Sequence, residues 1–154
     1  MKNAFDMLGS VKTKSKLQYS DRGVKKVRNT EEEDAQGAVI EWAKLQPFNR
    51  RKVFDYLIHH PAEGQRGFKA QATAKKLGLK RGVLDLQLIV PIGAVPGLWI
   101  EMKSKDGKWS TEQITFKEIA VEMGYVVEEA RTAEAAIAII KDWLARFAAY
   151  QKSA

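Results

Sequence analysis

The chain has 154 residues and a mass of 17.3 kDa, which is enough to bury one ordinary core and too little to divide comfortably into two domains, so we expect a single domain. Its hydrophobic fraction of 45% is that of a globular protein, and no stretch approaches the roughly 18 uninterrupted apolar residues of a membrane span, which predicts a soluble protein with no membrane partner. The charged N-terminus and the lack of cysteine argue against export, disulfides and thiolate zinc sites, and favour a cytoplasmic location.

The net charge of +7 is concentrated at the N-terminus. Residues 1 to 30 hold eight Lys or Arg against two Asp, whereas residues 31 to 154 hold 18 basic against 17 acidic residues. We therefore expect a basic, flexible arm over residues 1–29 and a folded domain over residues 30–150. Such an arm is drawn to a polyanion because neutralising phosphates releases condensed counterions. A solvated, disordered tail is the alternative explanation.

The spacing of apolar residues predicts elements in the order α-β-α-β-β-α-β-α, which is typical of a mixed α/β domain. They are, in chain order, a helix over 30–46, a strand over 53–60, a helix over 68–77, strands over 83–90 and 97–103, a helix over 111–123, a strand over 125–129 and a helix over 132–148. Thr30 and Glu33 have the spacing of a capping box at the first helix, and Ser110 is predicted to cap the third. Gly78 and Gly124 are placed to end the second and third helices.

Two of the predicted strands flank the turn-forming segment PIGAVP and are expected to pair as an antiparallel hairpin. In the second strand, the period of two places Trp99, Glu101 and Lys103 on one face. In the first strand, Asp85 shares a face with Gln87. The opposite face of that strand is predicted to be wholly apolar and comprises Leu84, Leu86, Leu88 and Val90. Pairing of the two strands lets Asp85 and Glu101 converge.

Two carboxylates and an ammonium group in one place suit phosphodiester chemistry. Carboxylates a few ångströms apart repel each other unless one is protonated or a cation lies between them, and Mg²⁺ is the ordinary oxygen-liganded cation. Such a cation can activate water and neutralise the charge that grows on a phosphate, while an adjacent lysine supports the attacking hydroxide. The alternative is that Glu101 and Lys103 form a surface ion pair on an edge strand and that Asp85 faces solvent.

The spacing of these residues resembles the PD-(D/E)xK nuclease signature: fifteen residues separate Asp85 from the segment Glu101-Met102-Lys103. The usual proline before the first acid is replaced here by Leu84. The surrounding segments are Glu32 with Gln36, HHPAEGQRG (59–67), GLKRGVLDLQL (78–88), GLWIEMK (97–103), STEQ (110–113) and Gly124-Tyr125. In this order and at these intervals, the series is similar to the virus-type replication-repair nuclease domain, called VRR-NUC. The resemblance covers about residues 30–144.

The resemblance implies a restriction-endonuclease-like α/β fold, with a central mixed β-sheet flanked by helices, and a Mg²⁺ or Mn²⁺ cofactor. The metal ligands that it implies are Glu32, Asp85, Glu101 and the backbone carbonyl of Met102. Lys103 would assist the nucleophile, and Gln113 in the following helix would complete the catalytic set. Because Glu31 and Glu33 are neighbours, the assignment of Glu32 can slip by one position, and helix capping is the alternative role for these acids.

For function, the resemblance implies a metal-dependent, structure-specific DNA endonuclease. Stand-alone members of the family resemble Holliday-junction resolvases, and a homodimer is expected because two sites related by a two-fold axis can nick two strands symmetrically. A phage-type member would act in the cytoplasm of a bacterial or phage-infected host cell. The alternatives are a nuclease directed at flaps, ends or nicks, a non-cleaving DNA-binding protein that kept the fold, and a structural domain of a phage assembly.

Several basic residues close to the predicted site in the sequence are candidates for contacts with the DNA backbone, namely Arg66, Lys69, Lys80 and Arg81. A solvated charged face is the alternative explanation. His59 and His60 precede a predicted loop and are expected to be structural, with a phosphate contact as the alternative. Trp109 lies beside a turn and is expected to pack in the core or in an interface.

Overall fold

The fold is described from a computed structural model over residues 30–60, 72–73 and 76–153. Its elements are α1 (Thr30–Leu45), β1 (Pro47–Phe48), β2 (Arg51–Lys52), a 3₁₀ helix (Val53–Tyr56), β3 (Leu57–His59), β4 (Leu86–Leu88), β5 (Leu98–Met102), α2 (Thr111–Glu122), β6 (Val126–Ala130) and α3 (Ala133–Ser153). The predicted arm over residues 1–29 lies outside the described residues. No helix within the described ranges is long and apolar enough to cross a membrane.

A four-stranded mixed sheet in the order β3-β4-β5-β6 forms the centre of the domain. β4 is antiparallel to β3 and to β5, whereas β6 runs parallel to β5. The predicted hairpin is confirmed, with Leu86 opposite Ile100 and Leu88 opposite Leu98. Because of these directions, β3, β5 and β6 end at the edge of the sheet where β4 begins.

Helices cover both faces of this sheet. On one face, α1 and α3 contribute Val39, Ala43, Ala136, Ile140 and Trp143 to a core that also contains the inward side chains of β4 and β5. On the other face, α2 contributes Ala120 to a smaller cluster built on Leu84 and Trp99. The fold class predicted from the sequence, a mixed sheet flanked by helices, is therefore confirmed.

The first and last helices follow their predicted courses. α1 begins at Thr30 and ends before Pro47, which cannot donate the next helical hydrogen bond. The predicted capping role of Thr30 falls on a side chain outside the described ones. α3 buries Ala136, Ile140 and Trp143, and the Trp143 indole Nε1–H donates to the carbonyl of Val90 at 2.8 Å. It continues to Ser153, beyond the predicted end.

The strand predicted over residues 53–60 is wrong in its first half, where the chain forms a 3₁₀ helix, and only Leu57–His59 is a strand. Asp55 explains the difference, because its Oδ2 accepts the Lys52 backbone N–H at 2.9 Å and offers the backbone a local turn in place of a strand. The short hairpin of β1 and β2 was not predicted. It turns through Asn49, whose positive φ of 51° is one that asparagine tolerates.

Leu84 does not share a face with Leu86 as predicted. It packs with Trp99 and Ala120 in the smaller cluster, on the opposite side of the sheet from the main core. The regular alternation of a strand begins only at Leu86, and the chain bends at Asp85. Because of this bend, the Met102 N–H of β5 donates to the Asp85 carboxylate, where a regular strand would have offered a backbone carbonyl.

The helix predicted over residues 68–77 lies largely outside the described residues. Residues 72, 73 and 76 are helical, and the Leu77 N–H donates to the carbonyl of Thr73 at 2.9 Å. Gly78 follows with a positive φ of 82°, as expected of a residue that ends a helix. Ser110 caps α2 as predicted, and its hydroxyl accepts the backbone N–H of Gln113.

Candidate active site

The fold brings three of the predicted site residues together at the sheet edge where β4 begins and β5 ends. Asp85 precedes β4, Glu101 is the penultimate residue of β5, and Lys103 follows β5. All three are buried, with exposed fractions of 9%, 1% and 7% respectively. The structure therefore contradicts the alternative that Glu101 and Lys103 form a surface pair and that Asp85 faces solvent.

Glu101, Lys103 and Gln113 form a closed set of hydrogen bonds. The Lys103 ammonium lies 2.6 Å from Glu101 Oε1 and donates to Gln113 Oε1 at 2.9 Å, and the Gln113 amide also donates to Glu101 Oε1. Gln113 Oε1 also accepts the backbone N–H of Ser110 at 2.9 Å. One side chain thus completes the capping box of α2 and ties the start of that helix to the buried ion pair.

Asp85 is held by the end of β5. Its Oδ2 accepts the backbone N–H of Met102 at 2.8 Å, and its own backbone carbonyl accepts the N–H of His60 at 2.8 Å. The N–H and the carbonyl of one strand residue point to the same side of the strand. The Met102 carbonyl therefore faces the side of β5 on which Asp85 lies, as its predicted role requires.

Glu32 reaches the same edge from the first turn of α1. Its Oε1 accepts the backbone N–H of Ser104 at 2.7 Å, and its charge contributes to raising the pKa of Asp85. Glu31 and Glu33 are exposed, whereas Glu32 is half-buried. Glu32 therefore contacts the edge of the sheet where Asp85 and Glu101 lie.

Burial makes the two carboxyl groups of the sheet reluctant to ionise. Burial raises the pKa of Asp85 to about 6, against the opposing effects of the Met102 N–H and Lys103. Burial, and then the nearby Asp85 carboxylate, raise the pKa of Glu101 to about 7, although Lys103 opposes this change. Because the two acids lie beside each other and both have raised pKa values, a bound cation would stabilise their ionised forms.

The donor set fits a hard divalent cation such as Mg²⁺ or Mn²⁺. Glu32, Asp85 and Glu101 supply carboxylate oxygens, and the buried Glu101 Oε2 has no hydrogen-bond partner among the described residues. At least one oxygen of each of the three carboxylates is engaged by a protein donor. Within the described residues, no three acidic or histidine side chains already stand in a ligating arrangement. The site is therefore suited to a divalent cation because its donors are carboxylate oxygens and because Glu101 Oε2 has no hydrogen-bond partner among the described residues.

The structure also gives contacts near the site to residues for which the sequence predicted no role. Gln36, one turn after Glu32, hydrogen-bonds Asp85 and lies 2.9 Å from His59 Nε2 through its Oε1. The sequence offered only its spacing from Glu32 as a signal. Ser104 and Arg131, which line the loop after Lys103, carried no signal, because their contacts join residues far apart in the chain.

The predicted DNA-contacting residues divide into two groups. Lys80 and Arg81 are exposed in the loop that leads to Asp85, whereas Arg66 and Lys69 lie outside the described residues. Three further lysines are exposed on the loop after Lys103 and on α2, namely Lys105, Lys108 and Lys117. The Lys117 ammonium lies 4.9 Å from the centre of the half-buried Trp109 ring, and that of Lys103 lies 5.9 Å from it.

His59, the last residue of β3, and His60 both contact side chains near the site. The His60 ring packs on Trp99 with a centroid distance of 5.1 Å. Burial, and then the neighbouring His60, lower the pKa of His59, whose Nε2 lies 2.9 Å from Gln36 Oε1. His59 is therefore linked to Asp85 through one amide side chain.

A mixed sheet between helices, with acids and a lysine at one edge, is the arrangement expected of an α/β nuclease domain of the restriction-endonuclease-like class. In comparisons with known proteins, no family model and no curated protein matches the sequence. The solved structure of a VRR_NUC domain protein matches it with 30% sequence identity and a TM-score of 0.64, over 75% of this chain and 88% of the other. The chain belongs to the VRR-NUC domain family.

Proposed function

We propose that this protein is a Mg²⁺- or Mn²⁺-dependent, structure-specific DNA endonuclease that hydrolyses phosphodiester bonds. The observation that carries the proposal is the buried Glu101 carboxylate near Asp85. One of its oxygens pairs with the Lys103 ammonium, and the other has no hydrogen-bond partner among the described residues. Membership of a nuclease-domain family supports the same activity. Burying such a group lowers stability, and a catalytic role accounts for that cost.

In this proposal Glu32, Asp85, Glu101 and the Met102 carbonyl hold the cation. The cation supplies Lewis acidity, which lowers the pKa of water and neutralises charge on the phosphate. Asp85 and Glu101 act as ligands in their ionised forms, and the Met102 N–H keeps Asp85 oriented toward β5. Glu32 is kept at the same edge by the Ser104 N–H.

Lys103 assists the attacking water in this proposal. Its ammonium is fixed between Glu101 Oε1 and Gln113 Oε1, so it is positioned before substrate binds. An ammonium group that is already in position stabilises an attacking hydroxide, or the negative charge on the phosphate oxygens, without having to move during the reaction. Gln113 is the residue that holds both members of the ion pair, and α2 holds Gln113.

The substrate is proposed to be DNA bound through its phosphates. Five basic residues are exposed in the loop before Asp85, in the loop after Lys103 and on α2, namely Lys80, Arg81, Lys105, Lys108 and Lys117. Phosphate contacts fix the position of the duplex without reading its sequence. Arg66, Lys69 and the basic segment over residues 1–29 are proposed to add further contacts of the same kind.

Branched DNA and a homodimer are the finer parts of the proposal. They rest on the family resemblance and on symmetry, because resolving a four-way junction requires two cuts related by a two-fold axis. A phage-type setting, in a bacterial or phage-infected cell, rests on the resemblance alone. A nuclease that acts on flaps, ends or nicks, and a DNA-binding protein that does not cleave, are the competing functions.

The test is incubation of the purified protein with labelled four-way junction, flap and plain duplex DNA, in Mg²⁺, in Mn²⁺ and in EDTA. We expect paired, symmetric junction cuts that disappear in EDTA, and Lys103→Ala should reduce the cleavage rate by about 10²-fold or more. Lys152→Ala, at the exposed end of α3, is the matched control and should cut normally. Light scattering on the same preparation measures the oligomeric state.

Each other result has a defined meaning. Cutting confined to flaps or ends would replace the junction substrate and keep the chemistry. Tight DNA binding without cleavage under any metal would overturn the assignment of catalytic roles to Asp85, Glu101 and Lys103.

A further inference from the structure

Arg131 makes an unusual set of contacts immediately after β6. One guanidinium nitrogen donates to three backbone carbonyls of the loop that follows Lys103, those of Ser104 at 2.7 Å, Lys105 at 2.8 Å and Gly107 at 3.3 Å. Another nitrogen pairs with Glu129 Oε1 at 2.7 Å. The guanidinium of Arg131 thus binds the backbone of the 104–107 turn, which is distant from Arg131 in the sequence.

The turn that Arg131 holds is the one that contacts Glu32. The Ser104 N–H donates to Glu32 Oε1 at 2.7 Å, and the Gly107 N–H closes the turn onto the Ser104 carbonyl at 3.0 Å. A Cβ atom at Gly107 would lie 3.1 Å from Glu32 Oε1. The position of the Glu32 carboxylate therefore depends on the shape of the 104–107 turn.

The other end of the loop is held through Glu129. Its Oε1 pairs with Arg131, and its Oε2 accepts the indole N–H of Trp109. The Trp109 ring in turn lies within 5.9 Å of the Lys103 ammonium. Arg131 thus holds the start of the loop, which contacts Glu32, and Glu129 holds Trp109 at the end of the loop, beside the Lys103 ammonium.

We propose that Arg131 is a positioning residue of the active site, which fixes the 104–107 turn so that Glu32 is held at the cation site. The inference rests on the proposed function, because it takes Glu32 as part of that site. Arg131 acts through the backbone of the turn, and does not itself touch substrate or cation. A planar guanidinium can donate to several acceptors at once, whereas a lysine ammonium on a flexible stem is a poor replacement.

The contrasting role is that of a partly exposed ion pair. The Arg131 side chain is 43% exposed and that of Glu129 30% exposed, and pairs of this kind contribute little to stability. A purely structural Arg131 would change the melting temperature slightly and leave cation affinity unchanged. Cation affinity is therefore the property that separates the two roles.

The experiment measures Mn²⁺ binding to the full chain by the loss of the free-ion electron paramagnetic resonance signal, without DNA. We expect Arg131→Ala to weaken Mn²⁺ binding about 10-fold or more, as changes to the outer contacts of metal ligands commonly do, and Arg131→Lys to restore little of it. Glu129→Gln keeps Arg131 and should give a smaller loss. Arg146→Ala removes another exposed arginine, paired with Asp142 on α3, and should bind Mn²⁺ normally.

A double-mutant cycle with Glu32→Gln tests whether Arg131 acts through Glu32. We expect Arg131→Ala to add little in the Glu32→Gln background, because the carboxylate that it positions is already gone. A full additional loss in that background would overturn the inference, and so would unchanged Mn²⁺ binding in both Arg131→Ala and Glu129→Gln. Circular dichroism at the temperature of the titration confirms that each variant is folded.

The same titration separates failure of the inference from failure of the proposed function. Wild-type protein that binds no Mn²⁺ would overturn the cation site itself and the inference with it. Binding that is weakened by Glu32→Gln and unaffected by the Arg131 and Glu129 variants would overturn the inference alone.

Discussion

Asp85 and Glu101 are buried acids whose ionised forms are disfavoured in the absence of a cation. Burial raises the pKa of Asp85 to about 6 and that of Glu101 to about 7; the charge of Glu32 adds to the first shift, and the charge of Asp85 adds to the second. Active sites often contain charged groups that lower the stability of the fold until a cation binds, so stability and activity place opposite requirements on these residues. Removing one of these charges should therefore stabilise the metal-free protein while it weakens the cation site.

Asp85→Asn should raise the melting temperature of the metal-free protein at neutral pH. The amide oxygen of Asn can still accept the Met102 N–H, and the charge is lost. Because the pKa of Asp85 is raised in the folded state, wild-type stability from this group is present below about pH 4 and is lost as the pH rises through about 6. The advantage of the variant should grow over this range to about 1–2 kcal/mol, or about 3–6 °C.

Thermal melts from about pH 4 to 8 in EDTA measure this difference. Asp106→Asn, which changes an exposed acid on the nearby turn, is the matched control and should show no such trend. Adding Mn²⁺ should raise the melting temperature of wild-type protein and have less effect on Asp85→Asn. An advantage of the variant that stays constant with pH would mean that Asp85 is not held as a disfavoured charge.

At the scale of residues, the sequence predicted the site as far as its local patterns extend. Alternation along two strands placed Asp85 and Glu101 on one face, and the observed register brings them together. Glu32 and Gln113 came from the family resemblance and not from periodicity. Arg131 was not predicted, because its contacts with the 104–107 turn span 24 to 27 residues of sequence and depend on the parallel pairing of β5 and β6.

At the scale of elements, the placement of α2 controls Gln113. Gly82, with a positive φ of 77°, lies directly against the start of this helix. A Cβ atom at Gly82 would lie 2.3 Å from the backbone carbon of Glu112 and 2.6 Å from the backbone nitrogen of Gln113. The loop before Asp85 and the first turn of α2 are therefore packed backbone against backbone, with no room for a side chain.

Gly82→Ala should displace the start of α2 and with it Gln113. We expect a loss of about 2–4 kcal/mol of stability, from overpacking together with the cost of a positive φ. DNA cleavage should fall even where the variant remains folded, because Gln113 holds both Glu101 and Lys103. Denaturant unfolding and cleavage rates at a temperature well below the melting point measure the two effects.

Gly78→Ala provides a control with the same backbone conformation. Gly78 also has a positive φ, of 82°, and its added Cβ would meet no atom of the described residues within 4 Å. This variant should lose about 1 kcal/mol and retain full cleavage at the lower temperature. If the two variants behaved alike, the contact between the Gly82 loop and α2 would not be what positions Gln113.

The errors in the predicted elements also have local physical causes. The helices α1 and α2 were predicted close to their observed bounds, since periodicity and end signals agree in each, whereas α3 was predicted correctly at its start and continues beyond its predicted end. The strand predicted over residues 53–60 failed where Asp55 forms a side-chain turn with the Lys52 N–H. Leu84 was placed on the wrong face because the bend at Asp85 interrupts the alternation, and that bend is part of the site.

At the scale of the whole molecule, the charge is divided between two parts of the chain. Residues 31 to 154 hold 18 basic and 17 acidic residues, so this part brings little net charge to DNA. The basic residues of the N-terminal segment are Lys2, Lys12, Lys14, Lys16, Arg22, Lys25, Lys26 and Arg28. If DNA is the partner, most of the long-range electrostatic attraction should come from this segment, and specificity for structure should come from the domain.

Deleting residues 1–28 should therefore weaken DNA binding and reduce its dependence on salt. The slope of log K against log salt concentration becomes shallower by about 0.9 for each phosphate that the protein no longer neutralises, so four such phosphates would reduce it by roughly 3 to 4. Fluorescence anisotropy over a salt series, with junction and duplex DNA, measures both quantities. Replacing the eight basic residues of the segment with glutamine preserves its length and should reproduce the deletion, since the effect is one of charge. An unchanged slope in both variants would mean that the segment does not bind phosphates and that the lysines around Trp109 supply the attraction.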